Sequence, residues 1–240
     1  MPKGIYIVGT DTEVGKTVVS AGLMHLMLAQ KYRSCYFKPV ASGAIVINGI
    51  TEAIDAVFVR TASGFSEEPG NITPFVFKNE VSPHLAARLE QMPIDVGVIK
   101  DRFQHLKECY EWIIAEGAGG LAVPLNDEGY MQYDLIKELG FSCLLVANAG
   151  LGSINHTLLS VHFARSVGLK IKGIIINGST RSLLETDNAE TITVLAGVPA
   201  VITIPALRGV DTEKCQIGNL KEVFEKSIVI DQIMAEMDEL

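Results

Sequence analysis

Residues 9–17 read Gly-Thr-Asp-Thr-Glu-Val-Gly-Lys-Thr. A glycine followed by Lys16 and Thr17, set between an apolar run and a helical pattern, is the chemistry for gripping a polyphosphate. In such a loop the N–H groups of the first helical turn face one anion. The helix dipole adds about half a positive charge at the same place. Gly15 admits close backbone approach, Lys16 reaches the β- and γ-phosphates, and the Thr17 hydroxyl is placed to hold magnesium. The pattern departs from the usual one at its start. Thr10 stands where a first glycine is expected, and Gly9 comes one residue early. The competing reading is an ordinary strand-turn-helix.

Two further charged residues follow apolar runs. Trp112-Ile113-Ile114-Ala115 delivers Glu116, and Gly117-Ala118-Gly119-Gly120 keeps the backbone thin beyond it. Ligands of doubly wound sheets bind outside the carboxyl ends of the strands, so Glu116 is a magnesium candidate. Its alternative is a carboxylate facing water. Lys38 ends a second run, Ser34 to Val40, and Pro39 forces it to be extended. A cation there can neutralise a transferring phosphoryl group or bind an anionic intermediate; otherwise it is simply solvated. Ser42-Gly43 offers a hydroxyl and an exposed backbone N–H.

These groups need a scaffold that brings them to one edge. Short apolar runs occur at Ile5–Val8, Ser34–Val40, Trp112–Ala115, Cys143–Ala147, Ile174–Ile176 and Ala200–Ile204. Several are apolar on both faces, which suits strands of a parallel sheet buried between helical layers. Helical patterns fall at 16–30, 82–91, 97–110, 131–139, 153–167, 187–196 and 219–236. The alternation indicates an α/β fold, a single-domain doubly wound, mostly parallel sheet over residues 1–240 with its core at about 4–230. Ser66–Asn71 and 205–218 read as loops, and Glu236–Leu240 as a frayed end.

Composition narrows the partners. Of 240 residues 48% are hydrophobic and 20% charged, enough apolar content for a sizeable core. The net charge of −8 disfavours nucleic acid and anionic membrane as general partners. No apolar run approaches the roughly 18 residues that a membrane span needs. Met1-Pro2-Lys3-Gly4 and the four apolar residues after it do not read as a signal peptide. Cys35, Cys109, Cys143 and Cys215 are far apart, with no C-x-x-C pair; Cys35 and Cys143 lie in apolar runs. A cytoplasmic protein with reduced thiols is expected.

Thr10–Thr17, Lys38-Pro-Val-Ala-Ser-Gly43, Ser82-Pro-His84, Glu116-Gly-Ala-Gly-Gly120 and Gly150-Leu-Gly-Ser-Ile-Asn-His156 occur in this order. Together they resemble the dethiobiotin synthetases, from about residue 4 to 207; the tail beyond about residue 210 matches little. The resemblance implies a homodimer of P-loop NTPase-like, three-layer subunits using ATP and magnesium. It implies carboxylation of 7,8-diaminononanoate by carbon dioxide to a carbamate. A carbamic-phosphoric anhydride follows, then closure of the cyclic urea. No protein nucleophile is required, consistent with the lack of a Ser-His or Cys-His constellation.

Carried over by motif, Glu13, Val14, Gly15, Lys16, Thr17 and Val18 bind the triphosphate, with Glu116, Gly117, Ala118 and Gly119 beside the nucleotide. Thr17, Asp55 and Glu116 are implied for magnesium, with Glu52 a rival to Asp55 by charge. Lys16 and Lys38 are implied for catalysis. Asn177 is implied for adenine contact, with Pro205, Ala206 and Leu207 lining its pocket. Thr12 and Ser42 are implied for substrate, as are Gly152, Ser153 and Asn155 from the neighbouring subunit, at a site near the subunit interface. Ser153 is the expected N-cap of its helix; His84, after Pro83, either helps shape the substrate edge or, as the more ordinary reading, has no role in the site. A septum-site or partition-type switch ATPase is the other reading of the loop. Such proteins carry an early lysine, and residues 9–12 offer none. A regulatory domain without catalysis would have no need of Lys38 and Ser42.

Overall fold

The computed structural model describes residues 1–240. β1 (Lys3–Gly9) leads through the glycine-lysine-threonine loop into α1 (Lys16–Ala29) and back through β2 (Ser34–Phe37). The long connection that follows contains β3 (Val40–Ser42), β4 (Ala44–Ile47), β5 (Ile50–Ala53) and α2 (Ile54–Ser63). It continues through α3 (Pro69–Ile72), β6 (Phe75–Phe77), α4 (Pro83–Leu89) and α5 (Val96–Cys109) to β7 (Trp112–Glu116). Then α6 (Gln132–Leu139), β8 (Cys143–Asn148), α7 (Ser153–Ser166), β9 (Ile171–Ser179), α8 (Leu183–Leu195) and β10 (Val201–Pro205) alternate. β11 (Val210–Asp211), β12 (Gln216–Ile217), α9 (Leu220–Ser227), α10 (Ile230–Ala235) and β13 (Asp238–Glu239) follow.

All six apolar runs become strands of one sheet, in the order β10-β9-β8-β1-β7-β2 and parallel throughout. Their continuous apolar character is explained by burial on both faces. On β2, Phe37 stacks on Phe103 of α5 at 5.8 Å, while its neighbour Tyr36 faces the opposite layer and bonds Glu116. The chain runs from β1 outward to β2 and β7, then crosses to β8, β9 and β10. The direction of winding therefore reverses at β1, and a crevice opens at its carboxyl end. Parallel strands bring Gly9, Glu116, Asn148, Ser179 and Pro205 to the same edge.

Several local expectations give way. The second run does not continue to Val40. Pro39 has no N–H to donate, and the Lys38 N–H bonds the Ile72 carbonyl at 2.7 Å, so β2 stops at Phe37. Val40–Ser42 instead pair with Phe75–Phe77. Residues 44–53 form a hairpin turned by Asn48 and Gly49, both at positive φ, and α2 follows it. The Ser66–Asn71 loop closes into α3, with Pro69 in its first turn. Helix α8 starts four residues early because Ser182 and Glu185 form a capping box. The stretch 219–236 breaks at β-branched Ile228-Val229 into α9 and α10. The 205–218 loop contains a short β11–β12 ribbon.

The expected frayed end is instead paired. β8 joins β1 only from Tyr6 onward, which leaves Lys3 and Gly4 unpaired on that side. β13 fills this edge antiparallel, with Gly4 opposite Asp238. Asp238 accepts from Ser142 Oγ and pairs with Lys172 Nζ at 3.0 Å, and Met237 is buried.

Candidate active site

The loop after β1 takes the shape its residues require. Thr10 N–H still bonds Val146 O, at 2.9 Å, so the chain leaves the sheet only after it. Gly9 meets the steric need that the missing glycine at position 10 left open. A Cβ on it would come within 2.5 Å of Asp11 O and 3.0 Å of Lys16 Nζ. Gly15 caps α1 at φ 93, a left-handed conformation, and a Cβ there would lie 2.1 Å from Asn177 Nδ2. The first N–H groups of α1 have no intrahelical partner and face the crevice. Lys16 arches over the loop to the Asp11 carbonyl at 3.0 Å. Its burial, with Lys38 nearby, lowers its pKa to about 8.

Beneath the loop the charged residues of three elements converge. Thr17 Oγ1 lies 2.8 Å from Asp55 Oδ1 and 2.9 Å from Glu116 Oε1. Lys38 Nζ is 2.8 Å from Glu116 Oε1 and also pairs with Asp55. Lys38 is 4% exposed and Glu116 fully buried, so neither is the solvated strand-end charge of the competing reading. Burial alone would lower the Lys38 pKa; Asp55 and Glu116 outweigh it and hold the ammonium firmly protonated. Burial alone would raise the Asp55 pKa; Lys38 outweighs that and keeps the carboxyl below its usual range.

Asp55 reaches the loop because the β4–β5 hairpin and the N-terminus of α2 carry it there. Glu52 does not: it pairs with Arg60 at 2.5 Å. The set Thr17, Asp55 and Glu116 is all oxygen, with two carboxylates and one hydroxyl. That suits magnesium, which takes one or two carboxylates and completes its shell with phosphate and water.

The other expected residues fall around this centre. Asn177 Nδ2 bonds Val14 O at 3.1 Å, and its buried Oδ1 has no partner. Pro205 pairs with Ser179, and Ala206 N–H bonds Ser179 O at 2.8 Å. Asn177, Pro205, Ala206 and Leu207 thus share one corner of the carboxyl edge. Thr12 and Glu13 are exposed on the loop, while Val18 packs against the core. Gly117, Ala118 and Gly119 form a turn held by Gln132, whose Oε1 accepts from Ala118 N at 2.7 Å. Ser42 ends β3, half-buried. The Gly43 N–H expected to be exposed is taken by Phe77 O at 2.9 Å. His84 has a buried, unpartnered Nδ1.

The 150–155 segment opens α7 differently from expectation. Gly152, at φ 88, is the N-cap, and the buried Ser153 hydroxyl turns back to Asn148 O at 2.6 Å. Asn188 holds the same turn through the Ala149 and Gly150 carbonyls, each at 3.0 Å. Asn155 is exposed. No hydrogen bond ties this segment to the Lys38 cluster within one chain.

Four positioning contacts were missed at the sequence level: Ser20 and Tyr36 on Glu116, Gln132 on the glycine turn, and Asn188 on the α7 turn. Two carried a signal. Ser20 is one turn after Thr17 on a helix, and Tyr36 is two residues before Lys38 on an extended segment, so each shares a face with a residue already singled out.

Fold and loop together define a nucleotide-binding α/β protein. A family model described as AAA domain matches residues 3–214. The septum site-determining protein MinD from Pyrococcus horikoshii, solved with Mg-ADP, superposes with a TM-score of 0.62. That alignment covers 97% of this chain and 96% of that one at 17% identity, a likeness of fold alone. Sequence relatives are more specific. The ATP-dependent dethiobiotin synthetase of Clostridium kluyveri is 42% identical over the full length of both chains. That of Clostridium novyi is 42% identical over 94% of each. The chain belongs to the dethiobiotin synthetase family. No helix is long and apolar enough to cross a membrane.

Proposed function

We propose that this chain carries out the ATP-dependent formation of dethiobiotin in biotin biosynthesis. Its substrates would be 7,8-diaminononanoate and carbon dioxide, and its other products ADP and phosphate. The observation that carries the reading is the convergence of Lys38, Asp55, Glu116 and Thr17 beneath the loop that ends in Lys16.

One amine of the substrate adds to carbon dioxide as a carbamate. A carbamate oxygen attacks the γ-phosphorus of ATP and ADP leaves. The second amine attacks the carbonyl carbon, the C–O bond to phosphate breaks, and the ring closes. The chain supplies placement and charge. The loop N–H groups from Glu13 to Val18 hold the triphosphate, and Lys16 and Lys38 offset charge on the transferring group. Asn177 and Pro205–Leu207 take the adenine; the partnerless Asn177 Oδ1 is an acceptor for its amino group. Thr12 and Ser42 meet the diamine. Thr17, Asp55 and Glu116 would hold magnesium, which supplies divalent charge against the phosphate oxygens. Aligned attack can lower the barrier by about 7–11 kcal/mol through placement alone.

The reading includes a homodimer. Leu151, just before α7, and Leu159, midway along it, are 86% and 60% exposed and flank a groove with Ile154 and Leu158. An apolar face of this kind fits a second copy, which would bring Gly152, Ser153 and Asn155 to the neighbouring crevice and its substrate carboxylate. The residues form one catalytic domain, and the cytoplasm is its proposed location.

Phosphate release from ATP, measured with and without diamine and bicarbonate, tests the reading. The proposal expects dependence on both and a cyclic urea as product. Release indifferent to the diamine, as a switch ATPase would give, refutes it.

A further inference from the structure

Glu116 is buried, yet both its oxygens are fully engaged. Oε1 meets Thr17 Oγ1 at 2.9 Å and Lys38 Nζ at 2.8 Å, on the side of the phosphate loop. Oε2 accepts from Ser20 Oγ at 2.6 Å and Tyr36 Oη at 2.9 Å, on the side of the core. Only Oε1 faces the other residues of the proposed magnesium and phosphate site. Nothing in the proposed chemistry calls for two further donors on the other oxygen.

We propose that Ser20 and Tyr36 are positioning residues that orient Glu116 toward its cation. The inference rests on the reading of Glu116 as a magnesium ligand. A glutamate carboxylate rotates about its last torsion with little restraint. An unrestrained Glu116 would present either oxygen, or the edge between them, to the phosphate side. Two hydroxyl donors on Oε2 fix the plane of the group and leave Oε1 facing Thr17. Outer partners of this kind tune a ligand by removing its alternatives.

The arrangement is built economically by two elements. Thr17 and Ser20 lie one turn apart on α1, so one helix face supplies a donor to each oxygen. Tyr36 and Lys38 are two residues apart on an extended segment, so they too share a face. Ser20, Tyr36 and Glu116 are each 0% exposed, and water has no route to replace a lost hydroxyl.

The test measures Mn2+ binding to the ADP-loaded protein, following free Mn2+ by electron paramagnetic resonance. Ser20→Ala and Tyr36→Phe each remove one hydroxyl and little else. Each is expected to weaken Mn2+ binding about tenfold, with ADP affinity in chelator equal to the parent's. Glu116→Gln is the control. If Glu116→Gln loses Mn2+ affinity while both hydroxyl variants bind within about twofold of the parent, the positioning role is overturned, even if the variants melt earlier. If Glu116→Gln binds Mn2+ like the parent, the ligand role of Glu116 itself has failed, and the inference goes with it.

Discussion

Replacing Lys38 by methionine keeps an unbranched stem and removes only the ammonium. In the native protein that ammonium lies 2.8 Å from Glu116 Oε1, pairs with Asp55, and has 5% of its side chain exposed. At an effective dielectric of about 20, the Glu116 contact alone is worth about 6 kcal/mol of Coulomb attraction before desolvation. The variant keeps two carboxylates out of water without their shared counter-charge. Breaking a buried pair in this way costs about 3–5 kcal/mol. For a chain of 240 residues this lowers Tm by about 6–20 °C. Adding Asp55→Asn removes one of the two facing carboxylates. The double variant should therefore melt above Lys38→Met, with a coupling of about 1–3 kcal/mol across the cycle. Calorimetry of the four proteins in chelator reads this directly. Steady-state assays should find turnover largely lost and ATP binding mostly retained. A Lys38→Met protein melting within roughly 2 °C of the parent, or a cycle that is simply additive, would refute the account of Lys38 as a buried counter-ion.

Two further outcomes concern the frame around the site. Gly22→Ala would gain about 1 kcal/mol in an exposed helix interior, but here the new Cβ would sit 2.2 Å from the Phe224 ring. Overpacking outweighs the helix gain, so the urea midpoint should fall; in a Phe224→Leu background the same change should raise it. At Asp238, burial raises the pKa, but the Ser142 hydroxyl and Lys172 outweigh it and hold the carboxyl below its usual range. Its folded pKa is thus the lower one. The contribution is complete above the unfolded value of about 4 and is lost as pH falls through the folded one. Side-chain exposure of 36% keeps the effect small. Protection factors at Gly4 and Leu240, taken against the intrinsic exchange rate at each pH, should fall on acidification in the parent, and Asp238→Asn should flatten that dependence.

Much of this molecule was legible in its residue order. Runs apolar on both faces can be satisfied only between two layers, so the six parallel strands of the sheet followed from local pattern, while the antiparallel seventh, β13, did not. Glycine, lysine and threonine at 15–17 need only the strand before them and the helix after them, and both are neighbours in sequence. Lys38 and Glu116 could be assigned to one edge because parallel strands end together. Contacts between distant segments were a different matter. That Asp55 and not Glu52 reaches Thr17 depends on a hairpin and a helix start that carry one carboxylate inward and leave the other to Arg60. The pairing of the 238–239 segment depends on where β8 begins to bond β1. Ser20 and Tyr36 stand 16 residues apart and meet only on Glu116, 80 residues beyond Tyr36. Periodicity assigns each residue a face, but what lies across that face is decided by how the layers close, and hydrogen bonds of well under 3 Å are settled there.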